Sequence, residues 1–237
     1  MSKEITMDQP LKERFWRYVN LITDNQFIVD DENREALKLI IDIMDNSPKG
    51  LIICGRTGSG KTLALETLSK IYRPPFHPER LNFKTVDEVV GQYEKIGDDA
   101  IGLQSTKNLI FDELGREKNP AKFYGSDCDV MQRVILKRYE LYKKQGYRSF
   151  FTSNYSRQDL RERYGDHCFS RLSEMTQFVN LGVAENYKDR REGGSPFFQG
   201  LPEVLPYYSK ILSSPPDSPD FLDYQNKIST LAKSKQI

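Results

Sequence analysis

Eight consecutive residues, Gly55-Arg56-Thr57-Gly58-Ser59-Gly60-Lys61-Thr62, satisfy the spacing G-x-x-x-x-G-K-[ST] in full. Glycines at these positions let the backbone curl, so that successive N–H groups and the start of the following helix converge on a β-phosphate. Lys61 then supplies a point charge for the β- and γ-phosphates, and the Thr62 hydroxyl is placed to ligate Mg²⁺. A phosphate cradle alone does not hydrolyse anything, so a second element matters. Leu109-Ile110-Phe111-Asp112-Glu113 ends an apolar run in adjacent carboxylates. Parallel sheets place their ligand crevice at such strand ends. Asp112 would hold Mg²⁺ through its water shell, and Glu113 would orient and polarise an attacking water. By itself, an apolar run ending in Asp-Glu is an ordinary strand meeting a polar turn. Paired with the loop at Gly55 to Thr62, it reads as the second half of an ATP site. Asn154 ends a later apolar run and could bridge the γ-phosphate and that water, although Asn after a strand commonly marks a turn.

The elements that must position these groups follow from periodicity. Leu51-Ile52-Ile53-Cys54 predicts a buried strand directly before the loop, and Lys61 through Tyr72 predicts a helix directly after it, stopped by Pro74-Pro75. Leu81 to Val86 reads as a strand, with a helix from Asp87 to about Glu94. Leu109 to Phe111 reads as a third strand, Asp129 to Gln145 as a long helix, Arg148 to Asn154 as a fourth strand and Gln177 to Leu181 as a fifth. Asn33 to Met44 carries Ala36, Leu37, Ile40, Ile41 and Met44 at helical spacing. Arg14 to Val19 predicts a short helix bearing Trp16, either a packing foot or a partner-binding arm. The foot is preferred because aromatic residues mostly serve cores. Strands alternating with helices predict an α/β fold, a three-layer sandwich around a mostly parallel five-stranded sheet. Six of the twelve prolines lie after Arg191. The chain therefore divides into an N-terminal helical arm (1–25), a core (26–191) and a Pro-rich, loosely ordered tail (192–237).

Composition excludes several classes. With 35 basic and 34 acidic side chains in 237 residues, the formal charge is +1. Nucleic-acid binding by a bulk polycation is excluded, and any such contact must come from a local patch. No apolar run is long enough to span a membrane, and the first residues lack the order of a secretory signal, so the cytosol is the default location. Cys54, Cys128 and Cys168 form no C-x-x-C pair, which argues against a disulfide framework or a zinc site.

On these motifs the chain resembles the AAA+ ATPases, and more narrowly the DnaC/IstB-like group of helicase loaders and transposition helper ATPases. Gly55 to Thr62 resembles Walker A, Leu109 to Gly115 (LIFDELG) resembles Walker B, and Thr152-Ser153-Asn154 resembles sensor 1. Ser170-Arg171-Leu172 is similar to the segment that carries the arginine finger in this group. The resemblance spans about Gln26 to Arg191. It implies a P-loop NTPase core with ATP and Mg²⁺ as cofactors, Thr62 and Asp112 at the metal, Glu113 and Asn154 as catalytic residues, and Arg171 reaching the γ-phosphate of a neighbouring subunit. A guanidinium supplied in trans couples hydrolysis to self-association. The competing reading of Arg171 is a salt-bridged arginine in a basic loop with Arg157, Arg161 and Arg163. At the sensor 2 position, where the group usually has arginine, this sequence has Lys188, with Arg190 or Arg191 as possible substitutes.

The resemblance implies Mg-dependent ATP hydrolysis and a partner, a replicative DNA helicase to be placed on single-stranded DNA. The alternative is an IstB-like helper that remodels a transposase on DNA. A small-molecule P-loop kinase and a nucleotide-gated binding module come after these. For DNA contact, the segment from Thr85 to Leu103 offers Tyr93 and Lys95 among five acids and makes a poor electrostatic funnel. The helix from Arg133 to Lys144 and the segment Arg157 to Arg163 are the better basic patches, although charged helices commonly face solvent or another subunit.

Overall fold

Apolar runs in this chain are buried on both sides, which explains why they read as continuous rather than alternating. The computed structural model describes residues 10–23, 31–72, 81–182 and 223. Five parallel strands form one sheet: β1 (Gly50–Cys54), β2 (Leu81–Thr85), β3 (Asn108–Asp112), β6 (Ser149–Ser153) and β7 (Thr176–Asn180), in the order β2-β3-β6-β1-β7. The register aligns their C-terminal ends, with Cys54 opposite Ser153 and Asn180, and Thr85 opposite Asp112. A separate antiparallel hairpin, β4 (Ala121–Phe123) and β5 (Ser126–Cys128), follows β3. Its turn residue Tyr124 is 94% exposed.

Successive strand residues feed two separate cores. Leu51, Ile53, Ile110 and Phe150 pack under α1 (Leu11–Ile22), α2 (Asp31–Asn46) and α3 (Lys61–Ile71). Ile52, Cys54, Leu109, Phe111 and Phe151 pack under α4 (Val86–Ile96), α6 (Val130–Gln145) and α7 (Arg157–Met175). The four-residue α5 (Asp99–Gly102) leads back towards β3. The three-layer sandwich expected from the sequence is therefore present. In α1, Leu11, Phe15, Tyr18 and Val19 are buried in the same core as α2 and α3, and Trp16 packs partly buried against it, edge-on to Phe15. That is the packing foot.

Two buried arginines join elements from distant parts of the sequence. Arg148 donates to the carbonyls of Ile43 and Met44, so it caps the C-terminus of α2 with a cation. Arg138 is fully buried and donates to the carbonyls of Gln104, Thr106, Lys107 and Arg148 and to the Ser149 hydroxyl. Burial lowers its pKa to about 10, which still leaves it charged at neutral pH.

The hairpin is not evident in the sequence, and the segment after β6 differs from the expectation. Residues 157 to 163 were expected as a basic loop and instead begin the nineteen-residue helix α7. A capping box joins Ser156 and Asp159 at its start, and Leu160, Tyr164, Cys168 and Leu172 recur every fourth residue along its buried side. Gly165, with φ 75° and ψ 160°, breaks the helix midway and hides that pattern from a periodicity search.

Candidate functional site

The phosphate loop is held by the sheet edge it springs from. The Gly55 N–H donates to the Ser153 carbonyl at 3.1 Å, and the Leu181 N–H donates to the Cys54 carbonyl at 2.8 Å. A Cβ on Gly55 would stand 1.8 Å from the Leu181 carbonyl oxygen, so no other residue fits there without moving β7. Gly60 takes a left-handed conformation (φ 92°) as the N-cap of α3, and no side chain caps that helix. By contrast Thr85, Asp129 and Ser156 cap α4, α6 and α7 with their own oxygens. No side-chain oxygen thus covers the start of α3, the kind of terminus that favours an anion. Lys61 is buried, and its Nζ donates to the carbonyls of Gly55 (2.8 Å) and Arg56 (2.7 Å). A phosphate would give the same ammonium charged acceptors in place of neutral ones. Burial pushes the adjacent Cys54 thiol up to about 12, so it adds no negative charge beside the loop.

Asp112 at the end of β3 is buried and meets α3 across the sheet edge. The Thr62 hydroxyl donates to its Oδ1 at 3.0 Å. Strand β6 lies between β3 and β1, and this places Thr152 in the gap: its hydroxyl donates to the same Asp112 oxygen and accepts the Glu113 N–H at 2.9 Å. Two hard oxygen donors, Thr62 Oγ1 and the Asp112 carboxylate, therefore converge next to an uncapped helix terminus. That donor set suits Mg²⁺, which takes one or two protein oxygens and completes its shell with water and substrate phosphates. Among the described residues no cluster of three or more His, Cys, Asp or Glu is placed to hold a metal alone.

Glu113 occupies a left-handed backbone position (φ 65°), uncommon outside glycine. Its carboxylate accepts both contacts from one nitrogen of Arg116, at 2.7 and 2.8 Å. Asn154 lies one residue beyond β6 and is exposed; Thr152, not Asn154, touches Asp112. Lys188 and Arg190 lie outside the described residues.

Arg171 belongs to the far end of α7. That helix leaves the loop edge at Ser156 and ends at Thr176, which pairs with Gly50 at the start of β1. Arg171 lies six residues past the Gly165 break and five before Thr176. It is thereby carried towards the sheet edge opposite its own phosphate loop. Its guanidinium lies over the Tyr139 ring at 5.4 Å, beside Glu174, which accepts hydrogen bonds from Tyr139 and Lys143.

Most cations of the two basic segments have partners within the chain. On α6, Arg138 is buried, Arg133 pairs with Asp98 at 2.6 Å and Lys143 with Glu174 at 3.0 Å. On α7, Arg161 pairs with Asp166 at 2.5 Å, Arg163 is engaged by Glu117 and Asp129, and Arg157 lies over Phe178. Tyr93 is buried, so its ring is not presented for base stacking.

Comparison with solved structures gives the fold its name. Domain III of the Thermotoga maritima replication initiation protein DnaA matches 91% of this chain and 89% of its own length, with a TM-score of 0.52 at 17% identity. A crystal structure of DnaI matches 70% of this chain and 93% of its own, with a TM-score of 0.53 at 16% identity. The chain has the AAA+ fold. AMPPCP-bound DnaA from Aquifex aeolicus also matches, with a TM-score of 0.53 at 16% identity, and there the match covers 90% of this chain but 65% of the DnaA chain. No family model and no curated protein matches the sequence. In this AAA+ fold, the loop, Asp112, Glu113 and Thr152 share one edge of the sheet, whereas α7 carries Arg171 away from it. The loop edge brings together a lysine, a hydroxyl and a carboxylate, and Arg171 lies elsewhere, over Tyr139 and beside Glu174.

Proposed function

We propose that the chain is an assembly-dependent, Mg²⁺-dependent ATPase that acts in DNA replication by placing a replicative helicase on single-stranded DNA. The observation that carries the nucleotide part is the junction of Thr62, Asp112 and Thr152 at the uncapped start of α3. Bound there, Mg²⁺ would neutralise charge on the β- and γ-phosphates. Lys61 and the α3 N–H groups bind and orient the phosphates. Thr152 fixes the Asp112 carboxylate and the Glu113 backbone, and Glu113 takes a proton from the attacking water once its side chain turns from Arg116. Arg171, carried away from its own loop, stabilises the transferring phosphoryl group of a neighbour. Asn154 positions the water, and Lys188 or Arg190 closes on the nucleotide. Support for ATP comes from the AMPPCP named with two DnaA structures of this fold, and support for replication from DnaA and DnaI themselves.

The partner is tested with Glu113→Gln, which is expected to bind ATP without hydrolysing it. Used as bait in host lysate with ATP and Mg²⁺, it should retain a hexameric helicase. Retention of a transposase instead would move the same ATPase to transposition and overturn the loader assignment.

A further inference from the structure

A buried charged network ties the turn after Glu113 to the middle of α7. Glu117, with 1% of its side chain exposed, accepts the Gly115 N–H at 2.8 Å on Oε2. Its Oε1 accepts the Tyr164 hydroxyl at 2.6 Å and Arg163 at 2.8 Å. Arg163 also reaches Asp129, the N-cap of α6, at 2.6 Å, and its guanidinium lies 4.7 Å from the Tyr164 ring centroid. Burial, then the charge of Glu117, holds the Tyr164 phenol well above the usual range, so it remains a donor.

Tyr164 is the last residue before the break at Gly165. It is gripped at both ends: Glu117 takes its hydroxyl, and Gln132 of α6 donates to its carbonyl at 3.0 Å. Six residues past the break stands Arg171. Satisfying three donors with one buried carboxylate makes this joint rigid, because any rotation of Tyr164 strands a buried polar group. The rigid side of the joint is bonded to the same turn that presents Glu113.

We propose that Glu117 and Tyr164 are positioning residues for Arg171: together they set the angle at which the second half of α7 leaves the Gly165 break, so the finger offered to the next subunit follows the state of the turn after Glu113 in its own. This rests on Arg171 acting in trans. The substrate consequence is directional, since the turn of one subunit controls hydrolysis in its neighbour.

Mixing variant subunits tests both layers. Glu117→Gln keeps side-chain size and leaves Arg163 paired with Asp129, and Tyr164→Phe removes only the hydroxyl, which gives a second variant if the first fails to fold. Each alone should lose about tenfold in turnover with ATP binding retained. Glu113→Gln mixed with Arg171→Ala should regain activity, because random mixing makes about one interface in four competent. Glu117→Gln mixed with Glu113→Gln should likewise recover, whereas Glu117→Gln mixed with Arg171→Ala should not. The reverse pattern, rescue by Arg171→Ala and none by Glu113→Gln, would place the defect in the variant's own site and overturn the proposal. Failure of the Glu113→Gln and Arg171→Ala pair to recover would instead remove the trans finger itself.

Discussion

Replacing Arg116 by Ala is expected to raise the ATPase turnover. In the structure the Glu113 carboxylate is held by Arg116 at 2.7 and 2.8 Å, so under the proposed mechanism it leaves that ion pair before it takes a proton from water. The pair sits in the open, with 63% of the Arg116 side chain and 34% of the Glu113 side chain exposed. Solvent screening limits such pairs to about 0.5–1 kcal/mol, and removing that contribution from the barrier corresponds to roughly a two- to fivefold gain in kcat. KM should change little, because Arg116 is not needed to bind the phosphates. Steady-state hydrolysis measured at two ionic strengths checks the cause as well as the size. At 0.5 M salt the Debye length falls to about 4 Å, so the wild-type rate should rise towards that of Arg116→Ala. A fall in kcat for Arg116→Ala, at either ionic strength, would refute the reasoning and make Arg116 a group that supports Glu113 in the reactive state.

Arg138→Met should cost about 3 kcal/mol of stability, read as a lowered urea midpoint with an unchanged m-value, because several buried carbonyls lose their charged donor while relief of the guanidinium's desolvation offsets part of the loss. Cys54 and Cys168, both raised to about 12 by burial, should resist iodoacetamide at pH 8 in the native protein and react once it is unfolded, with peptide mass spectrometry as the readout. The same two thiols make stability depend on alkaline pH. Between about pH 9, where the unfolded thiol ionises, and about pH 12, the native state holds protons that the unfolded chain has lost, so stability is full below this window and falls as pH rises through it.

The half of the site that lies within one stretch of chain was legible. Gly55 to Thr62 carries its glycines, its lysine and its hydroxyl consecutively, and the apolar runs before it and before Asp112 are long enough for buried strands. Legibility failed wherever a side chain's role depends on a partner remote in sequence. The Asp112 carboxylate could be paired with Thr62 by motif, but its contact with Thr152, 40 positions away, appears only once the sheet order sets β6 beside β3. Arg138 and Arg163 looked like surface cations, since nothing local distinguishes a solvated arginine from one that is buried against carbonyls or a carboxylate. For α7, a capping box at Ser156 to Asp159 and an apolar residue at every fourth place were present in the sequence. Gly165 and the helix's strongly polar outer face concealed them.

The close approach of β7 to the phosphate loop has a mechanical consequence. Leu181 and Gly182, just past the end of that strand, are bonded to Cys54 and Arg56 on either side of Gly55. Tension applied to the chain beyond residue 182 would therefore load the backbone of the nucleotide cradle together with the core that buries Leu181. A partner that tugs on this end of the polypeptide would have its hand on the latch of the ATP site, and a loop clenched around phosphate would in turn stiffen the anchorage against the pull.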